Sequence, residues 1–372
     1  MTISANPAET GKKSQMIDQV VVIGASGVVG RAAIEYLHRL GVPVTGISRR
    51  EPDLADIKHI SLDLNDASAC EQVAIGLKRV THVIYAALYE KPGLISGWFE
   101  EDQMQTNLLM LQNILDPLTQ TAKQLKHVSL LQGTKAYGAH VRPMSIPGKE
   151  RNPRVQHQNF YWLQEDYLKS KQLHARWRYT IWRPQIIFGH ALGAPMNMVA
   201  AIGVYAALRK FDARPISYPG GPNAPTEAID ANLLARALHF SMLHESCFNQ
   251  TFNITNGDVF EWKNVWPGIS EFFGGGSSGD EPMQLSTLYD RESDWQSITR
   301  KHGLKEYSIR QLVGDSFYYA DALFATGAAQ PPPPALLSTI KLRQAGFADC
   351  IDTEDMLQSW FSRLVEMKIL PG

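Results

Sequence analysis

The stretch Gln19-Val-Val-Val-Ile23, followed by Gly24-Ala-Ser-Gly27-Val-Val-Gly30, restricts what this chain can fold into more than any other segment. An apolar, β-branched run of that kind reads as a strand buried on both faces of a parallel sheet. Gly24 then permits a tight turn, Gly27 lets the backbone approach a pyrophosphate, and Gly30 lets the next helix pack close to the sheet. Arg31 to Leu40 reads as that helix, closed by Gly41 at its C-terminal end. The free N–H groups and positive dipole end at the start of such a helix suit a phosphate. With a strand before it and a helix after it, the G-x-x-G-x-x-G spacing implies a dinucleotide site built on Gly24, Gly27 and Gly30. A purely structural turn is the alternative.

Further strands are expected at Pro43–Ser48, His59–Leu64, Thr81–Leu88 and His127–Gln132, with a leucine-rich helix over Glu100–Leu118. Strands alternating with helices imply right-handed βαβ crossovers and an α/β fold, a Rossmann-type doubly wound parallel sheet. Tyr179–Phe188 reads as another strand that runs past Pro184 into a loop. Met196–Lys210 reads as an apolar helix that either lines a cavity or packs as core. Thr226–Asp230 reads as a short strand with Asp230 capping a helix, Phe252–Gly257 as strand and turn, and Asp355–Lys368 as an amphipathic core helix. The expected organisation is a frayed tail over 1–16, a Rossmann domain over 17–190 with further elements near 226–256, and a smaller, mainly helical substrate lobe over most of 191–372. Gly274-Gly-Gly-Ser-Ser-Gly279 is expected to be a flexible loop. Pro331–Pro334 is expected to be a stiff spacer, with docking to a partner as the alternative.

The chain has 372 residues, and its formal net charge of -1 gives no reason to expect nucleic acid or an anionic membrane as partner. The first apolar run is too short to cross a bilayer, and no signal peptide is visible. Cys70, Cys247 and Cys350 are far apart, which implies a reduced, cytoplasmic setting without a structural disulfide. The histidines and cysteines show no metal-ligand spacing, so no metal is expected. A homodimer is compatible with the sequence.

The end of the second strand bears on the cofactor. A site for NAD carries an acid about 20 residues beyond the glycines, to hold the ribose 2′-hydroxyl. Here Ser48-Arg49-Arg50 stands at that place, and two guanidiniums suit a 2′-phosphate, so NADP is preferred over a solvated basic turn. Asp63-Leu64 ends the third strand, where Asp63 either meets the adenine amino group or caps the helix expected from Asn65 to Gly76.

Two tyrosines compete for the chemistry. Asn159-Phe-Tyr161-Trp-Leu-Gln-Glu165-Asp-Tyr167-Leu-Lys-Ser-Lys171 reads as one helix. Six residues turn it through roughly 600°, so Tyr161 and Tyr167 point about 120° apart. Tyr167 and Lys171 have the Tyr-x-x-x-Lys spacing of short-chain dehydrogenases, in which the lysine lowers the phenol pKa. Upstream, Gly133-Thr-Lys135-Ala-Tyr137 puts an unexpected lysine at the carboxyl end of the fifth strand. Spacing alone does not separate the two tyrosines.

Over residues 19 to 371 the chain resembles the progesterone 5β-reductase/iridoid synthase-like enone reductases, divergent members of the extended short-chain dehydrogenases. The resemblance rests on Gly133-Thr-Lys135-Ala-Tyr137, Asn159-Phe-Tyr161 with Glu165-Asp166, Arg183-Pro184 with Ile187-Phe188-Gly189, and Met196-Asn197. Val204-Tyr-Ala-Ala207 and Phe252-Asn253 with Asn256-Gly-Asp-Val-Phe260 extend it. It implies NADPH-dependent 1,4-reduction of the C=C bond of an α,β-unsaturated carbonyl compound, with Lys135 and Tyr161 as the catalytic pair. It also implies cofactor contacts at Ser26, Gly27, Val28, Arg49, Arg50, Asp63, Leu64, Ala87, Tyr161, Ile187, Ala194, Pro195 and Met196, and leaves Tyr167/Lys171 accidental.

The sequence departs from the family pattern in several places. Leu131 stands at a position usually held by glutamine, with Gln132 one place later, so the nicotinamide contact expected at 131 falls on an apolar side chain. Ala194-Pro-Met-Asn197, Val141, His190 and Gly193 are further departures, and Pro331–Leu336 is expected to be a lineage-specific loop over the pocket mouth. Trp98, Phe160, Met196 and Met198 are expected to hold a hydrophobic enone. The alternatives are an ordinary carbonyl reductase or sugar-nucleotide epimerase using Tyr167/Lys171, or a catalytically silent NADP-sensing protein.

Overall fold

The structure, a computed structural model, describes residues 17–276 and 279–372. The tail expected over 1–16, and Ser277 and Ser278 of the glycine–serine loop, lie outside the described residues. The strands of the main sheet are β1 (Val20–Ile23), β2 (Val44–Ser48), β3 (Lys58–Ser61), β4 (His82–Tyr85), β5 (His127–Leu131) and β6 (Arg178–Pro184), with β9 (Gln250–Ile254) closing one edge. All pair in parallel in the order β3-β2-β1-β4-β5-β6-β9. The two short strands β7 (Ile186–Phe188) and β8 (Ala228–Asp230) form a separate parallel pair.

Strand β1 shows why the sheet sits inside. Its four residues are fully buried and alternate between faces. Val20 and Val22 join the core beneath helices α1 (Val28–Arg39), α5 (Met198–Phe211) and α6 (Ala231–Leu243). Val21 and Ile23 join a second core beneath α2 (Ala67–Gly76), α3 (Glu101–Thr121) and α4 (Phe160–Gln172). The first of these cores runs from Val20 to Leu370, so packing is continuous across the boundary expected near residue 190.

Successive strands run outward from β1 in one direction and from β4 in the other. The reversal leaves a crevice at their carboxyl ends, where doubly wound sheets take ligands.

Several elements differ from the sequence expectation. Helix α1 begins at Val28, three residues before Arg31, because the glycine turn itself supplies its first turn. A Cβ on Gly30 would lie 2.2 Å from the Gly24 carbonyl oxygen, so only glycine allows this close seat. Gly24 has φ +90, and a Cβ there would meet the Ala86 backbone at 2.6 Å.

The strand expected over Tyr179–Phe188 is cut at Gln185. Pro184 offers no N–H to extend the ladder, and β7 leaves the main sheet to pair with β8. Strand β3 stops at Ser61, and the Asp63 carboxylate then accepts from the Asn65 backbone N–H at 3.0 Å to form a turn. Asp66, accepting from Ala69 N–H at 2.9 Å, is the cap of α2, so Asp63 is not. Asp230 does cap α6, accepting from Leu233 N–H at 3.1 Å.

Candidate active site

A cavity of about 960 Å³ lies over the carboxyl ends of β1, β4 and β5. Gly24, Ser26, Gly27 and Val28 line one end of it. Gly27 is the cap residue of α1 and no side chain caps the helix there, so the first-turn N–H groups face this space. Arg49, Arg50, Asp63 and Leu64 form the wall beside β2 and β3. Arg50 donates to the Leu192 carbonyl at 3.1 Å, and a Cβ on Gly193 would lie 2.9 Å from the same guanidinium. Ala87, Leu131, Ile187, Ala194, Pro195 and Met196 line the middle. Gly30 lies outside the lining and acts through helix packing, as its contact with Gly24 requires.

Lys135 and Tyr161 meet at this cavity, together with Trp98 and Phe160. Lys135 sits in a 3-10 turn, Thr134–Tyr137, directly after β5. Tyr161 is in the first turn of α4 and is 8% exposed. One side chain joins the two segments. Asn159 Oδ1 accepts from Tyr161 N–H at 2.9 Å, while Asn159 Nδ2 donates to the Lys135 backbone carbonyl at 2.5 Å. A Cβ on Gly133 would lie 3.4 Å from the Tyr161 hydroxyl, which sets that hydroxyl against the end of β5. The Lys135 ammonium stands 4.1 Å from the Trp98 ring centre and 5.9 Å from that of Tyr161.

Burial acts on both groups. It pushes the Tyr161 phenol far above its ordinary range, and the nearby Glu90 charge adds to this, so Tyr161 is a protonated donor. Burial also lowers the Lys135 pKa, opposed by Glu90. Sequence reasoning missed Glu90, whose Oε1 lies 3.3 Å from Lys135 Nζ with a side chain 2% exposed. It also missed His140, a cavity residue whose imidazole burial holds down to about 4, leaving it neutral near pH 7.

Tyr167 and Lys171 are elsewhere. The Tyr167 hydroxyl donates to Asp116 Oδ1 at 2.7 Å, and Lys171 Nζ pairs with the same oxygen at 2.6 Å. Tyr167 packs against the core on the α3 side, and neither residue lines the cavity.

Glu165, four residues after Tyr161, contributes to a buried network behind the site. It pairs with Arg183 at 3.0 Å, and Gln132 bridges Arg183, at 3.1 Å, to the Tyr161 carbonyl, at 2.8 Å. Burial alone would raise the Glu165 acid, but Lys169, Arg183 and Arg154 together bring it down to about 2.

Met198 is a correction. It is fully buried among core residues of α5 and does not line the cavity. Asn197, whose N–H donates to Ser316 Oγ at 2.7 Å, begins the helix so that Met196 faces the cavity and Met198 the core. Pro332, Pro333 and Pro334 also line the cavity, and the Ala335 carbonyl accepts from Gln185. Among the described residues no three His, Cys, Asp or Glu groups are placed to hold a metal, and no helix is long and apolar enough to cross a membrane.

The sheet order, the glycine cradle and the crevice over the switch point define a Rossmann-type doubly wound fold with a nucleotide-sized crevice. Solved structures share this fold. UDP-glucose 4-epimerase of Thermus thermophilus, in complex with NAD, superposes with TM-score 0.64 at 15% identity, covering 92% of this chain and 98% of that one. The epimerase Mth375 of Methanothermobacter thermautotrophicus gives TM-score 0.67 at 14% identity, with 94% of each chain covered.

Sequence comparison goes further: the chain belongs to the PRISE-like Rossmann-fold domain family, whose profile matches residues 56–321. The (S)-8-oxocitronellyl enol synthase of Antirrhinum majus is 29% identical over 94% of this chain and 92% of the relative. The 3-oxo-Delta(4,5)-steroid 5-beta-reductase of Arabidopsis thaliana is 28% identical over 96% and 95% respectively.

Proposed function

We propose that the protein reduces the C=C bond of α,β-unsaturated carbonyl compounds with NADPH. The observation that carries this reading is the meeting of Tyr161 and Lys135 at the cavity, while Asp116 engages Tyr167 and Lys171 outside it. The steroid 5-beta-reductase and enol synthase names of the relatives agree with it.

The residues present suit a dinucleotide. An uncapped helix start and Gly27 offer N–H groups and space to a pyrophosphate, and Arg49 and Arg50 offer charge to a 2′-phosphate. When bound, NADPH supplies the hydride. Tyr161, kept protonated by burial, donates a hydrogen bond to the substrate carbonyl oxygen and stabilises the negative charge that develops there as the enolate forms. Lys135 contributes positive potential beside that oxygen, and water protonates the α-carbon. Trp98, Phe160 and Pro332 to Pro334 give an apolar lining for a hydrophobic enone. The protein is expected to work as a soluble cytoplasmic enzyme, as a monomer or homodimer.

The test is NADPH consumption with 2-cyclohexen-1-one and progesterone, followed by product analysis. A saturated ketone is expected. An allylic alcohol would mean carbonyl reduction instead, and tight NADPH binding without turnover across a panel of enones would mean a sensor.

A further inference from the structure

Glu90 has no part in the mechanism above, yet its environment is built. It follows β4, at the edge of the cavity, and its side chain is almost completely enclosed. Oε1 faces the Lys135 ammonium, and Oε2 accepts from Gln103 Nε2 at 2.6 Å. Gln103 is itself fully buried and held by Lys91 N–H, which donates to its Oε1 at 2.9 Å.

The next residue makes the placement informative. Lys91 pairs with Glu100 and Asp102 on the exposed side. Glu90 is therefore not the local surface counter-ion: the chain sends Lys91 outward to other acids and turns Glu90 inward to Lys135. An enclosed carboxylate is costly to keep unless it is paired and hydrogen-bonded, and both of its oxygens are.

We infer that Glu90 is a positioning residue for Lys135: it fixes the ammonium over the Trp98 ring and keeps that nitrogen charged inside the cavity. This rests on the enone-reductase reading. Burial favours loss of the Lys135 proton, and the adjacent carboxylate is the group that opposes it. Glu90 is itself pushed upward by burial and held back by Lys135 and Gln103. The other titratable groups around the pair do not substitute for it. Burial keeps the phenols of Tyr161 and Tyr319 protonated, with Glu90 adding to the effect in each. His140 is held neutral by burial and by the neighbouring His157 and Lys135. Lys91, Glu100 and Asp102 balance one another beyond Gln103.

The experiment compares the pH dependence of kcat/KM on 2-cyclohexen-1-one for the wild type, Glu90→Gln and Glu90→Asp. Removing the carboxylate takes away the support for the ammonium, so Lys135 loses its proton at lower pH. Glu90→Gln is expected to lower turnover about tenfold in the mildly alkaline range and to move the alkaline decline down by about one pH unit or more. Glu90→Asp should restore part of that shift. A slower enzyme with an unshifted profile would mean a merely structural role and overturn the inference.

Competitive acetylation of Lys135, followed by mass spectrometry across pH, reads the same displacement without turnover. It separates the two failures. No enone turnover with a displaced acetylation profile rejects the reaction and keeps the pair; turnover with identical profiles rejects the pair. If Glu90→Gln does not fold, the Glu90→Asp profile decides by the same criterion.

Discussion

Helix α4 presents two tyrosines in two surroundings, and the contrast explains why spacing alone misleads. Tyr161, in the first turn, faces the cavity beside Lys135 and Trp98. Tyr167, less than two turns further along, is packed on the α3 side and gives its hydroxyl to Asp116. Burial pushes both phenols far above their ordinary range, so acidity does not distinguish them. Access does. The Tyr-x-x-x-Lys pair exists as a local feature, with Lys171 5.6 Å from the Tyr167 ring centre, but a carboxylate on a neighbouring helix engages both members.

The largest effect expected to test this contrast is on turnover. Tyr161→Phe removes the proposed oxyanion donor and should cost about 10²–10³ in kcat, roughly 2.7–4 kcal/mol of barrier. Tyr167→Phe should leave kcat near the wild-type value. Equal losses in the two variants, measured as NADPH consumption with an enone, would erase the distinction. Lys135→Met comes next, with a loss of about tenfold or more, against no change for Lys171→Met. At the other end of the cavity, Arg49→Ala combined with Arg50→Ala should weaken NADPH binding about tenfold or more while leaving NADH binding little altered. Fluorescence titration with both nucleotides checks this.

Smaller effects concern stability. Asn159→Ala removes a helix cap and should cost about 1 kcal/mol by denaturant unfolding, with a greater proportional loss of activity because it also ties Lys135 to the helix. A further effect is on acid stability. Glu165 is held near a pKa of about 2 in the fold, against an ordinary value of 4.5. Its contribution is complete above about 4.5 and is lost as pH falls toward 2. Glu165→Gln should flatten unfolding free energy across that window.

Much of this arrangement is legible in the sequence. Val20–Ile23 and the glycine turn dictate a buried parallel strand and a tightly seated helix because so few residue types satisfy both. The meeting of Lys135 and Asn159-Phe-Tyr161 rested on family resemblance; local periodicity gave equal standing to Tyr167. The break at Pro184 was visible as a proline, but the departure of β7 to β8 depends on a partner strand about forty residues on. Met196 and Met198 read alike in sequence, and only the start of α5 at Asn197 sends one to the cavity and the other to the core. Glu90 was unreadable for a different reason. A charged residue in a loop after a strand has the same local signature whether solvent or a buried lysine receives it.

The amide of Asn159 spans chain segments separated by 24 residues. Lys135 and Tyr161 consequently belong to one unit of local unfolding: opening the first turn of α4 also releases the carbonyl that fixes the lysine turn. Hydrogen exchange at Tyr161 N–H therefore reports on the integrity of both halves, and a destabilised variant should lose them in a single step.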